Sequence, residues 1–366
     1  MKVFITTNDF WNLINFRKPL LVELKKSRHE IIVLTNLKKK NISYKKMGLK
    51  LHHVNFKSNF NLINDLMNLF VIFFLFLKYK PEATLNFTIK PILLCSLVSK
   101  LLNIKCINTV TGFGNLYLKS KIFRNFFIIF YRFFTSKKNY FFFHNNNDCK
   151  FFINKKIAKK SKCFITKGSG VNLSNFKNLK PTLKKNINFL MISRLIYNKG
   201  VIEFLKAAKL LENNKNLNFE ILGREKNDNL NEIKQSELIK YKDLNNLKIS
   251  NFSLNVKKKL KNINFVILPS YREGMPKSLM EAMSSGIPVI ASKVVGNSDL
   301  VKENFNGFLC RPKDHESLYR CILKVSKIKK KRYKIISKNC REFAKDYLDE
   351  KKVVFIYLSL LKKLYE

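Results

Sequence analysis

The chain has 366 residues, enough on length alone for two or three domains, and 46% hydrophobic with 13% aromatic residues supplies real cores, which excludes a tail or short adaptor. Lys and Arg number 71 against 25 Asp and Glu, a formal balance of +46 that points first to nucleic acid or an anionic membrane. Lysine supplies 60 of these cations and arginine 11, in a chain crowded with Asn, Ile and Phe as drift toward AT-rich codons produces. Solvated lysine faces therefore come ahead of a dedicated polyanion site, with attraction to acidic lipid headgroups as a secondary effect.

The chain opens Met1-Lys2-Val3-Phe4-Ile5 and soon turns polar, too short an apolar run for a secretory signal, so a cytoplasmic location is expected. Val3 to Ile5 reads as a buried strand and a polar loop with Asn8 follows. A helix is expected from Pro19 through Leu24 to Lys26, and Ile31 to Leu34 reads as the next strand. Strand, loop, helix, strand opens a parallel α/β sheet, whose strands are continuous apolar runs because both faces are covered. Further strands are expected at Leu49 to Val54, Ala83 to Phe87, Cys106 to Val110 and Tyr140 to Phe143. The longest apolar run, Leu69 to Leu77, is well short of the roughly 20 residues of a membrane-spanning helix, so integral insertion is not expected. Lys121 to Phe134 puts Ile122, Phe123, Phe126, Phe127, Phe130, Phe133 and Phe134 on one helical face, with Lys121, Arg124 and Arg132 elsewhere. Such a face packs on a sheet or lies in a membrane interface, and both readings stand.

From Ile187 the pattern restarts. Asn188 to Ile192, Phe219 to Leu222, Phe265 to Leu268 and Val289 to Ala291 read as strands. Val201 to Leu211 carries apolar residues at 201, 204, 205, 208 and 211, one face of a helix, and further helices fit at Val256 to Leu260 and Lys277 to Ser284. The expected organisation is an α/β fold of two Rossmann-like domains facing across a cleft, at 1–175 and 176–345, with a C-terminal helix at 346–366 returning to the seam. Neither half carries G-x-G-x-x-G, which disfavours a dinucleotide oxidoreductase. Seven cysteines without a C-x-x-C pair, and five histidines without ligand spacing, indicate neither a disulfide scaffold nor a metal site.

Chemistry concentrates in two strand-to-helix turns. The first is Ser270-Tyr271-Arg272-Glu273-Gly274-Met275-Pro276-Lys277-Ser278, which follows a strand and opens a helix: Pro276 suits a first helical position and Gly274 a tight turn with exposed backbone. Amides at such a helix start face an anion, usually phosphate. Glu273 before the helix and Glu281 about one turn in place two carboxylates to flank one polyhydroxylated ligand; an ordinary turn with solvated glutamates is the competing reading. The second turn, Ser193-Arg194-Leu195-Ile196-Tyr197-Asn198-Lys199-Gly200, presents a guanidinium and an ammonium that can neutralise a diphosphate leaving group without a metal. Lys199 is one lysine among 60, whereas Arg194 belongs to the scarce type.

These residues, with Gly168 to Phe176 and Ser285 to Ser292, resemble the C-terminal half of a retaining, nucleotide-sugar-dependent glycosyltransferase of family 4, whose hallmark Glu-x7-Glu matches Glu273 and Glu281. The resemblance implies the GT-B fold and no cofactor beyond the nucleotide-sugar substrate. By it, Arg194 and Lys199 bind the donor diphosphate, Glu281 holds the ribose and Glu273 the donor sugar. Backbone amides from Gly274 through Met275 and Pro276 to Lys277 and Ser278 line the rest of the donor pocket. Retention in the family is attributed to front-face attack within an ion pair, so no general base is assigned. The first half, through Phe16 to Leu20, Lys90-Pro91 and Thr111-Gly112-Phe113-Gly114-Asn115-Leu116-Tyr117, resembles bacterial transferases acting on saccharides linked to undecaprenyl diphosphate. That likeness implies a UDP-linked hexose or N-acetylhexosamine donor, acceptor binding by Asn15, Arg17, Thr111, Gly112, Phe113 and Gly114, and an inner-membrane surface as partner.

The sequence departs from the family pattern at Val295-Gly296-Asn297-Ser298-Asp299, where Asp299 can keep a usual glutamate's charge, at Asn251, standing where a turn glycine is usual, and at Asn15 in place of a histidine. Two other readings stand beside it: a relative with a soluble acceptor or epimerase chemistry, and a basic nucleic-acid-binding protein. Scattered lysines and the lack of a recognisable nucleic-acid module argue against the last.

Overall fold

The computed structural model describes residues 1–37, 48–56, 61–113, 121–224, 232–251, 253 and 255–366. They form two compact units, Met1–Ser169 with Lys351–Glu366, and Gly170–Glu350.

The first unit runs β1 (Lys2–Thr7), α1 (Phe10–Lys26), β2 (Glu30–Thr35), β3 (Lys50–His53), α2 (Leu62–Tyr79), β4 (Ala83–Phe87), α3 (Ile89–Leu101), β5 (Lys105–Val110), α4 (Lys121–Phe134), β6 (Tyr140–Phe143), α5 (Asn146–Asn154) and β7 (Cys163–Ile165). Its strands pair in parallel in the order β3-β2-β1-β4-β5-β6-β7. The apolar runs expected as strands form this sheet, and β1, β2, β4, β5 and β6 are buried along most of their length because helices cover both faces, whereas the edge strand β3 is exposed or half-buried throughout. Against one face lie α1 and the terminal helix α13 (Glu350–Tyr365), whose Val353, Val354, Tyr357, Leu360 and Leu361 join this unit's core. The other face is covered by α2, α3, α4 and α5.

Two helices differ from expectation. α1 begins at Phe10, not at Pro19, because Asp9 caps it by accepting from Asn12 N at 2.7 Å. Pro19 therefore sits inside the helix, where its ring removes the donor that would reach the Asn15 carbonyl. α2 extends well beyond the apolar run at 69–77 and is long and apolar enough to cross a membrane by length and composition.

The expected aromatic face of α4 is divided. Phe127 and Phe134 pack inward beside the buried Ile128 and Tyr131, while Ile122, Phe123, Phe126, Phe130 and Phe133 are exposed.

The second unit runs β8 (Ile187–Arg194), α6 (Val201–Leu210), β9 (Leu217–Arg224), α7 (Gln235–Ile239), β10 (Leu247–Asn251), α8 (Val256–Leu260), β11 (Phe265–Leu268), α9 (Lys277–Ser284), β12 (Val289–Ser292), α10 (Asn297–Leu300), β13 (Gly307–Cys310), α11 (His315–Ser326) and α12 (Lys330–Tyr347). The parallel order is β10-β9-β8-β11-β12-β13. From β8 the chain winds outward one way, and from β11 the other, so the topological switch point lies between these two neighbours.

Candidate active site

Both chemistry-bearing turns of the second unit leave the carboxyl ends of the strands flanking that switch point, where open α/β sheets form a ligand crevice. Arg194 is the last residue of β8 and is exposed. The chain then makes a single 3₁₀ turn, Tyr197–Lys199, and enters α6 through Gly200. Gly200 has φ +73°, and a Cβ there would stand 2.1 Å from the Pro269 carbonyl oxygen, so only glycine lets the turn lie against the end of β11.

From that turn Lys199 Nζ donates to Glu273 Oε1 at 2.6 Å, with the Glu273 side chain 9% exposed. The backbone ties the loops as well: Tyr271 N donates to the Asn198 carbonyl at 2.9 Å, joining the two, and Glu273 N donates at 3.1 Å to the Val295 carbonyl of the turn after β12. A third turn supports the Glu273 loop from below. Gly296, φ +84°, brings its Cα so close that a Cβ would lie 2.6 Å from the Glu273 carbonyl oxygen.

α9 opens after Pro276, which occupies the N-cap and offers no side-chain acceptor. Proline is thus one place earlier than a first helical position. Met275 is buried beneath the loop, and Lys277 Nζ reaches the Gly170 carbonyl at 3.2 Å. Gly274 and Ser278 stay partly exposed. Glu281 lies in the second turn of α9; burial pushes its carboxyl up to about 7, against the opposing pull of Lys277.

In the first unit the switch point lies between β1 and β4. Arg17 of α1 is buried, its guanidinium 4.1 Å from the ring centre of Phe87 at the end of β4. Desolvation lowers its pKa. His144, just past β6, is pushed down to about 3, by burial first and then by Arg17, so it is neutral. Arg17 lines a small pocket with Phe16, Pro19, Ser169, Val354 and Tyr357. Asn15 is two positions away on α1, which sets it on another side of the helix, and its Nδ2 donates to the Trp11 carbonyl at 2.8 Å. The structure does not bring it to Arg17.

Thr111 and Gly112 follow β5 in a loop where Gly112 has φ +116°. Phe113 is 2% exposed and stacks on Phe152 at 5.6 Å, so its ring anchors this loop from within the first unit's core. Gly114 to Tyr117 lie outside the described residues. The structure also describes two of the departures from the family pattern. Asn251 ends β10 without a positive φ, and the Asp299 carboxylate accepts from Gly296 N at 3.1 Å, capping α10.

Residues 174–343 match the family model described as glycosyl transferases group 1. Among curated proteins, an Escherichia coli UDP-Gal:alpha-D-GlcNAc-diphosphoundecaprenol alpha-1,3-galactosyltransferase is 29% identical over 301 residues, 77% of this chain and 76% of the relative. A Campylobacter jejuni N,N'-diacetylbacillosaminyl-diphospho-undecaprenol alpha-1,3-N-acetylgalactosaminyltransferase is 24% identical over 98% of each chain. The solved structure of Anabaena Alr3699/HepE in complex with UDP and glucose superposes with a TM-score of 0.77 at 15% identity, over 99% of each chain. The chain is a glycosyltransferase of GT-B fold.

Several residues that hold the transferase's second-unit site together were not singled out from sequence. Asn297, fully buried, donates from Nδ2 to the Ser292 carbonyl at 3.2 Å, Ser292 Oγ at 3.1 Å and Ser270 Oγ at 3.3 Å, tying the ends of β11 and β12. The Tyr271 hydroxyl donates to Glu203 Oε1 of α6 at 2.7 Å, bracing the loop before Glu273. In the first unit, Thr88 after β4 holds φ +73°, a strained value for a β-branched residue, with its buried Oγ1 unpartnered. A polar residue directly after a strand at a switch point is the signal that could have found Thr88. Asn297 had none, since Asn is abundant throughout. Among the described residues no group of three His, Cys, Asp or Glu side chains is placed to hold a metal.

Proposed function

We propose that this glycosyltransferase moves a hexose or N-acetylhexosamine from a UDP-sugar to a saccharide on undecaprenyl diphosphate, with retention, at the inner face of the cell membrane during surface-glycan synthesis. The observation that carries the donor half is the Lys199–Glu273 pair at the switch point, beside the opening of α9 and Glu281. Arg194 and Lys199 neutralise the departing diphosphate, so that no metal is required. Gly274 to Ser278 present backbone to the diphosphate and sugar. Glu273 receives donor-sugar hydroxyls and Glu281 the ribose diol. When donor binds, the Lys199 ammonium is shared between Glu273 and the phosphate oxygens, coupling sugar recognition to leaving-group stabilisation.

On the acceptor side, Arg17 is the cation suited to the acceptor's phosphate, with Thr88, Thr111 and Gly112 at neighbouring strand ends. The lipid-linked acceptor is supported by the names of both curated relatives, and UDP by the first of them and by the Anabaena complex. No nucleic-acid partner is part of this reading.

The test is consumption of a panel of UDP-, GDP- and ADP-sugars in EDTA with undecaprenyl-diphosphate-linked saccharides, for the wild type, Arg194→Ala and Glu281→Ala. The expected result is turnover of one UDP-sugar, with kcat/KM lowered about 10²–10³-fold by Arg194→Ala, the usual loss when an oxyanion-stabilising group is removed. Turnover that needs a divalent metal, or survives both substitutions, overturns the assignment.

A further inference from the structure

Fourteen of the 24 exposed large hydrophobic side chains among the described residues stand on α2 and α4. The steps β3 to β4, β4 to β5 and β5 to β6 all cross the first sheet in one direction, so right-handed crossovers set α2, α3 and α4 side by side on one face. α3 is buried along most of its length. α2 turns Ile72 and Phe76 inward, and α4 turns Ile128 and Tyr131 inward. On their outer faces Phe70 and Phe74 are each 65% exposed, and Phe126 and Phe133 are 57% and 63% exposed. Single exposed apolar residues are ordinary, but two stripes at i,i+4 and i,i+7 spacing on helices of one layer form a patch that water disfavours.

Charge indicates what covers it. The one carboxylate on either helix, Asp65, is held 2.7 Å from Lys90. Lys78, Lys80, Lys100, Arg132, Lys137 and Lys138 are exposed on or beside the two helices, and Lys100 Nζ reaches the Phe133 carbonyl at 3.4 Å. Apolar stripes rimmed by cations fit the headgroup boundary of an anionic bilayer. A second copy seated on the same surface would set this basic rim against itself. Although α2 has the length and hydropathy of a span, it is fastened along the sheet, with Phe76 packed edge-on to Phe4 of β1 at 4.8 Å.

We propose that α2 and α4 together form a docking face that lies in the headgroup–acyl boundary of an anionic bilayer. This specifies the membrane contact of the reading above and rests on it for the setting. The test is flotation of the full chain with phosphatidylcholine vesicles containing or lacking phosphatidylglycerol. Strong partition onto the anionic vesicles is expected, reduced at least roughly tenfold in Phe70→Glu/Phe74→Glu and in Phe126→Glu/Phe133→Glu. A milder variant, Phe74→Trp in a Trp11→Phe background, keeps the site readable if those fail to fold: its fluorescence should shift blue and be quenched by brominated lipid. No partition and no shift overturns the proposal, as does a vesicle-indifferent dimer in light scattering that the same substitutions dissociate. Turnover of a short-chain, water-soluble acceptor separates the two ideas. Vesicle binding without turnover upholds the docking face while defeating the proposed reaction, and turnover without vesicle binding does the reverse.

Discussion

Glu281 keeps its proton to a pH at which ordinary carboxyls have lost theirs, because α9 buries it and Lys277 compensates only in part. Between the usual carboxyl value and about 7 the folded chain binds a proton that the unfolded chain has released, so stability falls as pH rises through that window. Glu281→Gln removes this fall. Its melting temperature should exceed the wild type's by a margin that grows through that window and is constant above it; an equal margin at every pH would contradict the assignment. Gly296 acts by what it lacks. Gly296→Ala places a Cβ against the Glu273 carbonyl at a positive φ, at a cost of about 1–3 kcal/mol. The expected signature is a lowered melting point and a loss in kcat/KM with the donor, since the displaced loop carries Glu273 away from Lys199.

At the scale of elements, caps and inward polar groups set boundaries that apolar runs do not reveal. Asp9→Ala removes the acceptor for Asn12 N and should cost about 0.5–2 kcal/mol in denaturant unfolding, with no effect if α1 in fact begins near Pro19. In α2 the Asn61 side chain accepts from Asn64 N at 3.1 Å, and the buried Asn68 donates to the Asn55 carbonyl at 2.9 Å. Lys80 in the left-handed region ends the helix. Polar residues are thus drawn toward the protein while Phe70 and Phe74 face out. A reading that expects apolar residues inside finds only a short run at 69–77. The inner strands, by contrast, were legible, because residues covered on both faces must be apolar at successive positions, whereas the edge strands β7, β10 and β13 were not read from the sequence.

For the whole molecule the net charge of +46 is a term in stability. Several acids are committed to pairs, among them Glu273 with Lys199, Asp65 with Lys90 and Glu220 with Lys259, so the lysine excess repels itself. Added salt screens this repulsion, and the melting temperature should rise with NaCl concentration, by roughly 2–4 °C for each kcal/mol relieved. A fall would mean that attractive pairs outweigh the excess. The chain also closes on its own beginning: α13 brings the Tyr357 hydroxyl within 2.6 Å of Thr109 Oγ1, sealing the face of the sheet that α1 leaves open. A C-terminal helix was expected from the sequence, and contact with β5 gave it a place.

What the sequence determined by itself is whatever is local or repeated: the alternation of buried strands with helices, the glycines at tight turns, and the Glu-x7-Glu string with its neighbouring Arg and Lys. These depend on backbone geometry and spacing, which are written residue by residue. Only tertiary structure decided that Lys199 meets Glu273, that Phe113 turns into the core, that Asn297 ties two strand ends, and that α2 turns its phenylalanines outward. Each depends on groups far apart in the chain, and on desolvation that no single segment supplies.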